Sequence, residues 1–228
     1  MKPIHKYVLS RYAISIPFLF VLIFLPAWNI FYWQGWVYIG LSIFISIISL
    51  IVLWNRESLL EKRMKPEGGL KKLQNWDKKY FFVSSFFGYA AIIFSILDVR
   101  FKWGPEVSFP LYFVAIFCYL LGQFFSIWAR KVNDFLLPFV AIDKDGGHYV
   151  CQAGPYKLIR HPYYFGGILS MVGVPLILGS YLGIIFELVA IALLIYRTKK
   201  EDEFLMKELE GYVEYAKRVR YRLFWGIW

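Results

Sequence analysis

The chain has 228 residues, of which 59% are hydrophobic and 21% aromatic, and it carries a net charge of +10. The apolar residues lie in long blocks, which excludes an ordinary soluble domain and points to a polytopic membrane protein. Two cysteines, one inside an apolar run, exclude a disulfide framework. With no CxxC and no metal-spaced Cys/His cluster, a metal site is not expected. In a membrane protein the positive charge reports orientation and anionic lipid rather than nucleic acid.

The first apolar run, Tyr12 to Trp28, follows a short basic segment with Lys2, Lys6 and Arg11. It is too long for a signal peptide and lacks a small-x-small cleavage pattern, so a membrane helix is predicted. A second span runs from about Trp33 to Trp54, with tryptophans at both ends. In the polar stretch from Asn55 to Lys79, Leu59, Leu60 and Met64 alternate with charges at helical spacing, which predicts a short helix on the interface. It reads as a lid or, more plainly, as a lipid-touching connector, and Pro66-Glu67-Gly68-Gly69 breaks it.

The third and fourth spans are about Tyr80 to Leu97 and about Ser108 to Ala129. A 33-residue apolar run, Tyr164 to Tyr196, is long for one crossing and short for two. Pro175 and the Gly179-Ser180 pair make it a tight hairpin of two short or tilted helices. After Arg197 the chain is charged, and Phe204, Leu205, Leu209, Tyr212, Ala216 and Val219 recur at the spacing of an amphipathic helix. With six crossings, 24 of the 26 Lys/Arg fall on the side that holds both termini, which the positive-inside bias makes cytoplasmic. The expected fold is therefore all-α: a single membrane bundle over residues 1–228 with about six crossings and a C-terminal amphipathic helix. No charged residue is read at the middle of a span, which disfavours an ion channel or proton-coupled transporter.

The candidate chemistry collects between two apolar blocks, in Gly146 to Gly167. This segment holds His148, Tyr156, Arg160, His161, Tyr163 and Tyr164. Pro162 suits the first position of a helix, and Arg160 and His161 would stand at that helix's positive end, an arrangement able to receive an anion. Arg197 and Glu201 are four apart and share a helix face. Arg197 could grip a carboxylate or phosphate, or simply snorkel as an interfacial anchor. No G-x-S-x-G elbow or G-x-G-x-x-G turn is present.

Three blocks, G-P-Y-K-L-I-R-H-P-Y-Y-F-G-G preceded by Gly147-His148, Arg197-Thr198-x-x-Glu201-Asp202 after the hairpin, and the tail G-Y-V-E-Y-A-K-R-V-R-Y-R-L, resemble the isoprenylcysteine carboxyl methyltransferase family. That family belongs to a group of membrane methyltransferases that includes phospholipid N-methyltransferases. The resemblance covers about residues 130–225 well and the first half loosely, through the stretch at Asn55 and the Trp76-Asp77 pair. It implies S-adenosylmethionine as donor in a cytoplasmic-face pocket. His148, Tyr149, Val150, Cys151 and Tyr156 would line its adenosine part. Arg160, His161, Pro162, Tyr163 and Tyr164 would stand at its methionine end, and Glu201 would meet its ammonium. Arg197 would face the acceptor, which makes Arg197 and Glu201 the implied catalytic pair. The implied acceptor is a lipophilic carboxylate of isoprenylcysteine type that enters from the bilayer. A phospholipid or small-molecule N- or S-methyltransferase, an NADPH-dependent sterol-type reductase and a non-catalytic scaffold are the alternatives.

Overall fold

A computed structural model describes residues 2–64, 75–142 and 147–228. The predicted break at Pro66 to Gly69, and Gly146 at the start of the polar stretch, lie outside these residues. Among the described residues the chain is all-helical. Helices α1 (Pro3–Ala27), α2 (Trp33–Leu53), α4 (Asn75–Phe101) and α5 (Phe109–Val132) are long and apolar enough to cross a membrane. The protein is a polytopic helical membrane protein, and the later apolar run folds as a helical hairpin of α6 (Pro162–Ile177) and α7 (Leu182–Glu208). The first helix begins nine residues before the apolar run, because Pro3 at its start needs no N–H partner.

Between α2 and α4 lies α3 (Glu57–Met64), the short amphipathic helix expected there. Leu59 and Leu60 are buried against Ile4, Val8 and Leu53, so α3 packs across the starts of α1 and the end of α2. Two ion pairs tie it in place, Lys2–Glu57 at 2.7 Å and Arg56–Asp134 at 2.8 Å.

The tightest packing is between α5 and α6. Ala115, Gly122 and Ser126 on α5 meet Gly166, Ser170 and Gly173 on α6, and a Cβ on Gly122 or on Gly166 would collide with the other's carbonyl oxygen. Small residues at this spacing let two backbones touch, which is how helices associate where lipid supplies no hydrophobic drive. The hairpin turn closes at Gly179, whose φ of 85° needs glycine. Asp98 fixes the same end by accepting hydrogen bonds from the Ser180 hydroxyl, at 2.5 Å, and the Gly104 amide, at 2.7 Å.

Two sequence expectations change. The tail is not a separate helix from Arg197: α7 runs unbroken through Glu208, and only then do Leu209 and Gly211 turn the chain into the seven-residue α8 (Tyr212–Arg218). Nothing between Tyr196 and Glu208 breaks a helix, whereas Gly211 adopts a φ of 78°. A helix of 27 residues is about 40 Å long at 1.5 Å per residue, so its charged third projects beyond the apolar part. The second correction is Glu187, an acid inside the hairpin run that was read as free of charge. It is buried on α7, about 8 Å along the helix from the hairpin turn, and its Oε2 makes no hydrogen bond.

Candidate functional site

The starts of α1 and α4, the end of α2, the end of α7 and the segment that follows α5 all gather at one end of the bundle. Contacts between distant residues establish this, including His5 with the Trp54 carbonyl and Arg197 with Asp77. Most of the basic residues are at this end, and so is a narrow cavity of about 70 Å³. Its walls come from the 133–141 segment, the 148–164 segment, the end of α7 and the α8 tyrosines. His148, Tyr149, Val150, Cys151, Tyr156, Arg160, His161, Tyr163, Tyr164 and Glu201 all line it. Pro162 and Arg197 stand just behind the wall.

The floor is organised by Asp202, which is fully buried. Arg160 donates to both of its oxygens, at 2.9 and 3.0 Å, in a bidentate fork. Tyr212 donates at 2.9 Å, Arg222 at 2.8 Å, and His161 Nε2 lies 3.2 Å away. Burial alone would raise the Asp202 carboxyl. The hydrogen bond and charge of His161, then Arg160 and Arg222, outweigh it and hold the group below the usual carboxylate range.

Arg160 also reaches three tail carbonyls, those of Ala216, Val219 and Arg220, at 3.1 to 3.4 Å. The backbone continues the join: the Arg160 amide donates to Tyr221 and the His161 amide to Arg222, both at 2.9 Å. Arg160 is thus a clamp between tail and floor, and its guanidinium is committed. Pro162 does start α6, as expected. The free amides expected around that helix start are mostly in use, since those of Tyr164 and Phe165 bond the His161 carbonyl. The pattern needed for an anion site is therefore already occupied by the protein's own groups.

A second chain of contacts begins at Glu201, whose side chain is 17% exposed. Its carboxylate accepts a hydrogen bond from the Tyr164 hydroxyl, and that hydroxyl accepts one from Arg197. Arg197 is buried under the rings of Tyr80, Phe81 and Tyr164, with its guanidinium carbon 5.0 to 5.2 Å from their centroids. Its Nε donates to Asp77 at 2.9 Å and its Nη2 to the Pro138 carbonyl at 3.0 Å. Asp77 takes a further bond from the Val140 amide at 3.0 Å. The sequence blocks contain Asp77 and Asp202 but assign neither a specific role, because their arginine partners Arg197 and Arg160 lie 120 and 42 residues away. One signal was available: Asp202 adjoins Glu201, yet on a helix it must face a different side.

Tyr156 lies buried beneath the pocket: its carbonyl accepts a hydrogen bond from the Tyr215 hydroxyl at 2.7 Å, and its own hydroxyl accepts one from the Asn133 side-chain amide at 3.1 Å. Burial pushes the Tyr156 phenol well above its ordinary value, so it stays neutral. Burial likewise raises the Cys151 thiol, which makes it a wall residue rather than a nucleophile. Among the described residues no group of three or more His, Cys, Asp or Glu could hold a metal.

Residues 110–210 match the family model of phospholipid methyltransferases. A protein-S-isoprenylcysteine O-methyltransferase of Dictyostelium discoideum is 26% identical over 135 residues, which is 57% of this chain and 57% of that protein. The matched part of the chain thus spans somewhat over half the length of that relative.

Proposed function

Because the chain resembles the isoprenylcysteine carboxyl methyltransferase family and its phospholipid-methyltransferase relatives, we propose that it transfers a methyl group from S-adenosylmethionine to a lipophilic acceptor. The observation that carries the reading is the single cavity in which the three sequence blocks meet, with one acid, Glu201, on its wall. Arg160 is committed to Asp202, which leaves the Glu201 carboxylate as the charged group on the wall that a cationic ligand can meet. An acid on the wall suits the ammonium and sulfonium of the donor. Bound there, S-adenosylmethionine supplies an electrophilic methyl on a sulfonium sulfur.

The residues divide the work as follows. Glu201 holds the ammonium group, and His161 and Tyr163 stand at the same end. His148 to Cys151 and Tyr156 enclose the adenosine. Methyl transfer needs an in-line approach: the carbon–sulfur bond breaks, its electron pair stays on sulfur, and the new bond forms to the acceptor. A carboxylate acceptor needs no base, so positioning and exclusion of water carry the acceleration. Arg197 acts toward the acceptor through the Tyr164 hydroxyl, since its own donors reach Asp77, Tyr164 and Pro138. The basic end of the bundle is the cytoplasmic one, and the acceptor enters from the bilayer. The acceptor we favour is a carboxylate of isoprenylcysteine type. An amine acceptor is the second reading, favoured by the match to phospholipid methyltransferases and by the acid on the wall.

Equilibrium binding of labelled S-adenosylmethionine to the protein in lipid nanodiscs tests the proposal, with NADPH as competitor. Saturable binding is expected, insensitive to NADPH and weakened about tenfold or more by Glu201→Gln, which removes a charged hydrogen-bond acceptor. Displacement by NADPH would move the protein to the reductase reading, and absence of donor binding would overturn the donor assignment.

A further inference from the structure

We infer that Asp77 is a positioning residue that holds the Arg197 guanidinium away from Glu201 and so keeps the Glu201 carboxylate available to a cationic ligand. The inference rests on the reading of Glu201 as the donor's ammonium partner. Arg197 and Glu201 are four apart on α7, the spacing at which opposite charges on a helix close into a pair. Their pair is a long one: Nη1 stands 3.8 Å from Oε2, while Nε bonds Asp77 at 2.9 Å. The guanidinium lies between two carboxylates, and the one that holds it is the drier. Asp77 is fully buried, whereas Glu201 opens on the cavity.

Asp77 is itself fixed. It stands in the first turn of α4, and its second oxygen takes the Val140 amide. The Pro138 carbonyl takes Nη2 of the same guanidinium, so Asp77 and Arg197 together pin a segment whose Phe139, Val140 and Ala141 line the cavity. Three aromatic rings enclose the guanidinium and oppose any large excursion. Tyr164 spans the remaining gap by accepting from Arg197 and donating to Glu201. Without the charge at 77, a buried cation would have a single carboxylate within reach, and a shift of about 1 Å would complete that pair at ordinary charge-assisted hydrogen-bond length. Glu201 would then be spent inside the protein. The first half of the chain, outside the matched residues 110–210, would in this way decide donor affinity without touching donor.

A double-mutant cycle on S-adenosylmethionine affinity, measured in nanodiscs, tests this. Arg197→Gln removes the competing cation but also the bond to Pro138, so it should bind donor more weakly than the unmodified protein and more tightly than Asp77→Asn. Asp77→Asn should bind about tenfold or more weakly, because a charged acceptor has been taken from the ligand. Asp77→Asn with Arg197→Gln should bind more tightly than Asp77→Asn and within about twofold of Arg197→Gln alone, since the competing cation is gone. A residue that merely supports the fold would not show this recovery. Asp77→Asn that binds normally, or a double variant that binds no better than Asp77→Asn, overturns the inference. If Asp77→Asn alone does not accumulate, the double variant decides: donor binding equal to that of Arg197→Gln supports the inference and its loss overturns it. An unmodified protein that fails to bind donor overturns the donor reading, and the inference with it.

Discussion

Replacing Asp202 with alanine should cost the protein a large part of its stability. Asp202 is fully buried and receives two bonds from Arg160 and one each from His161, Tyr212 and Arg222. Its removal leaves the buried Arg160 cation without a counter-charge, and breaking a buried pair in this way costs about 3–5 kcal/mol. Arg222 is partly exposed and adds little, about 1 kcal/mol or less. Set against a typical total of about 5–15 kcal/mol, the loss is severe. At about 2–4 °C per kcal/mol for a chain of this size, the melting midpoint should fall by about 6–20 °C. Nine tryptophans allow the transition to be followed by intrinsic fluorescence in nanodiscs. Arg160→Gln combined with Asp202→Ala should melt above Asp202→Ala alone, because the stranded charge goes with its partner. An Asp202→Ala midpoint within about 2 °C of the unmodified protein would refute the reasoning, as would a double variant less stable than the single one.

Two further outcomes are expected. The depressed Asp202 carboxyl contributes stability that is complete above the ordinary carboxylate value of about 3.9 and is lost only as pH falls through its lowered folded-state value. The difference in melting midpoint between the unmodified protein and Asp202→Asn should therefore stay constant from pH 7 to about 4.5 and shrink only in stronger acid; a difference that vanishes between pH 7 and 5 would contradict this. Gly122→Leu should force α5 and α6 apart at about 1–3 kcal/mol or more, and lower the yield of monodisperse protein, while Gly40→Leu, with no atom near its Cβ position, should not. Equal yields from the two variants would contradict the close crossing.

The spans were legible in the sequence because each is a continuous apolar run, and the hairpin turn was legible because Gly179-Ser180 interrupts one. Helix ends were less so. The run from Tyr196 to Glu208 changes from apolar to charged without any residue that ends a helix, so composition suggested a boundary where the backbone has none. In the site, the motif residues from His148 to Tyr164 were found because they are contiguous, and the structure brings them to one wall with Glu201. The roles of Arg160 and Arg197 could not be read from position. An arginine beside a helix start looks like a ligand grip until its acceptors are known, and here they are Asp202 and the tail carbonyls. Asp77 and Asp202 stand in recognisable sequence stretches, but what they do lies in partners that only the fold supplies.

The pairing of residues 160–161 with 221–222 has a consequence for how the protein is made. The four long helices α1, α2, α4 and α5 emerge from the ribosome and can enter the bilayer before any of the pocket's 148–164 wall has been synthesised. The floor closes later still, when Arg220 to Arg222 arrive to receive Arg160 and Asp202. Membrane insertion of the four long helices and completion of the pocket are therefore separate steps. A chain interrupted before Arg220 would be inserted in its membrane and yet lack a finished binding site.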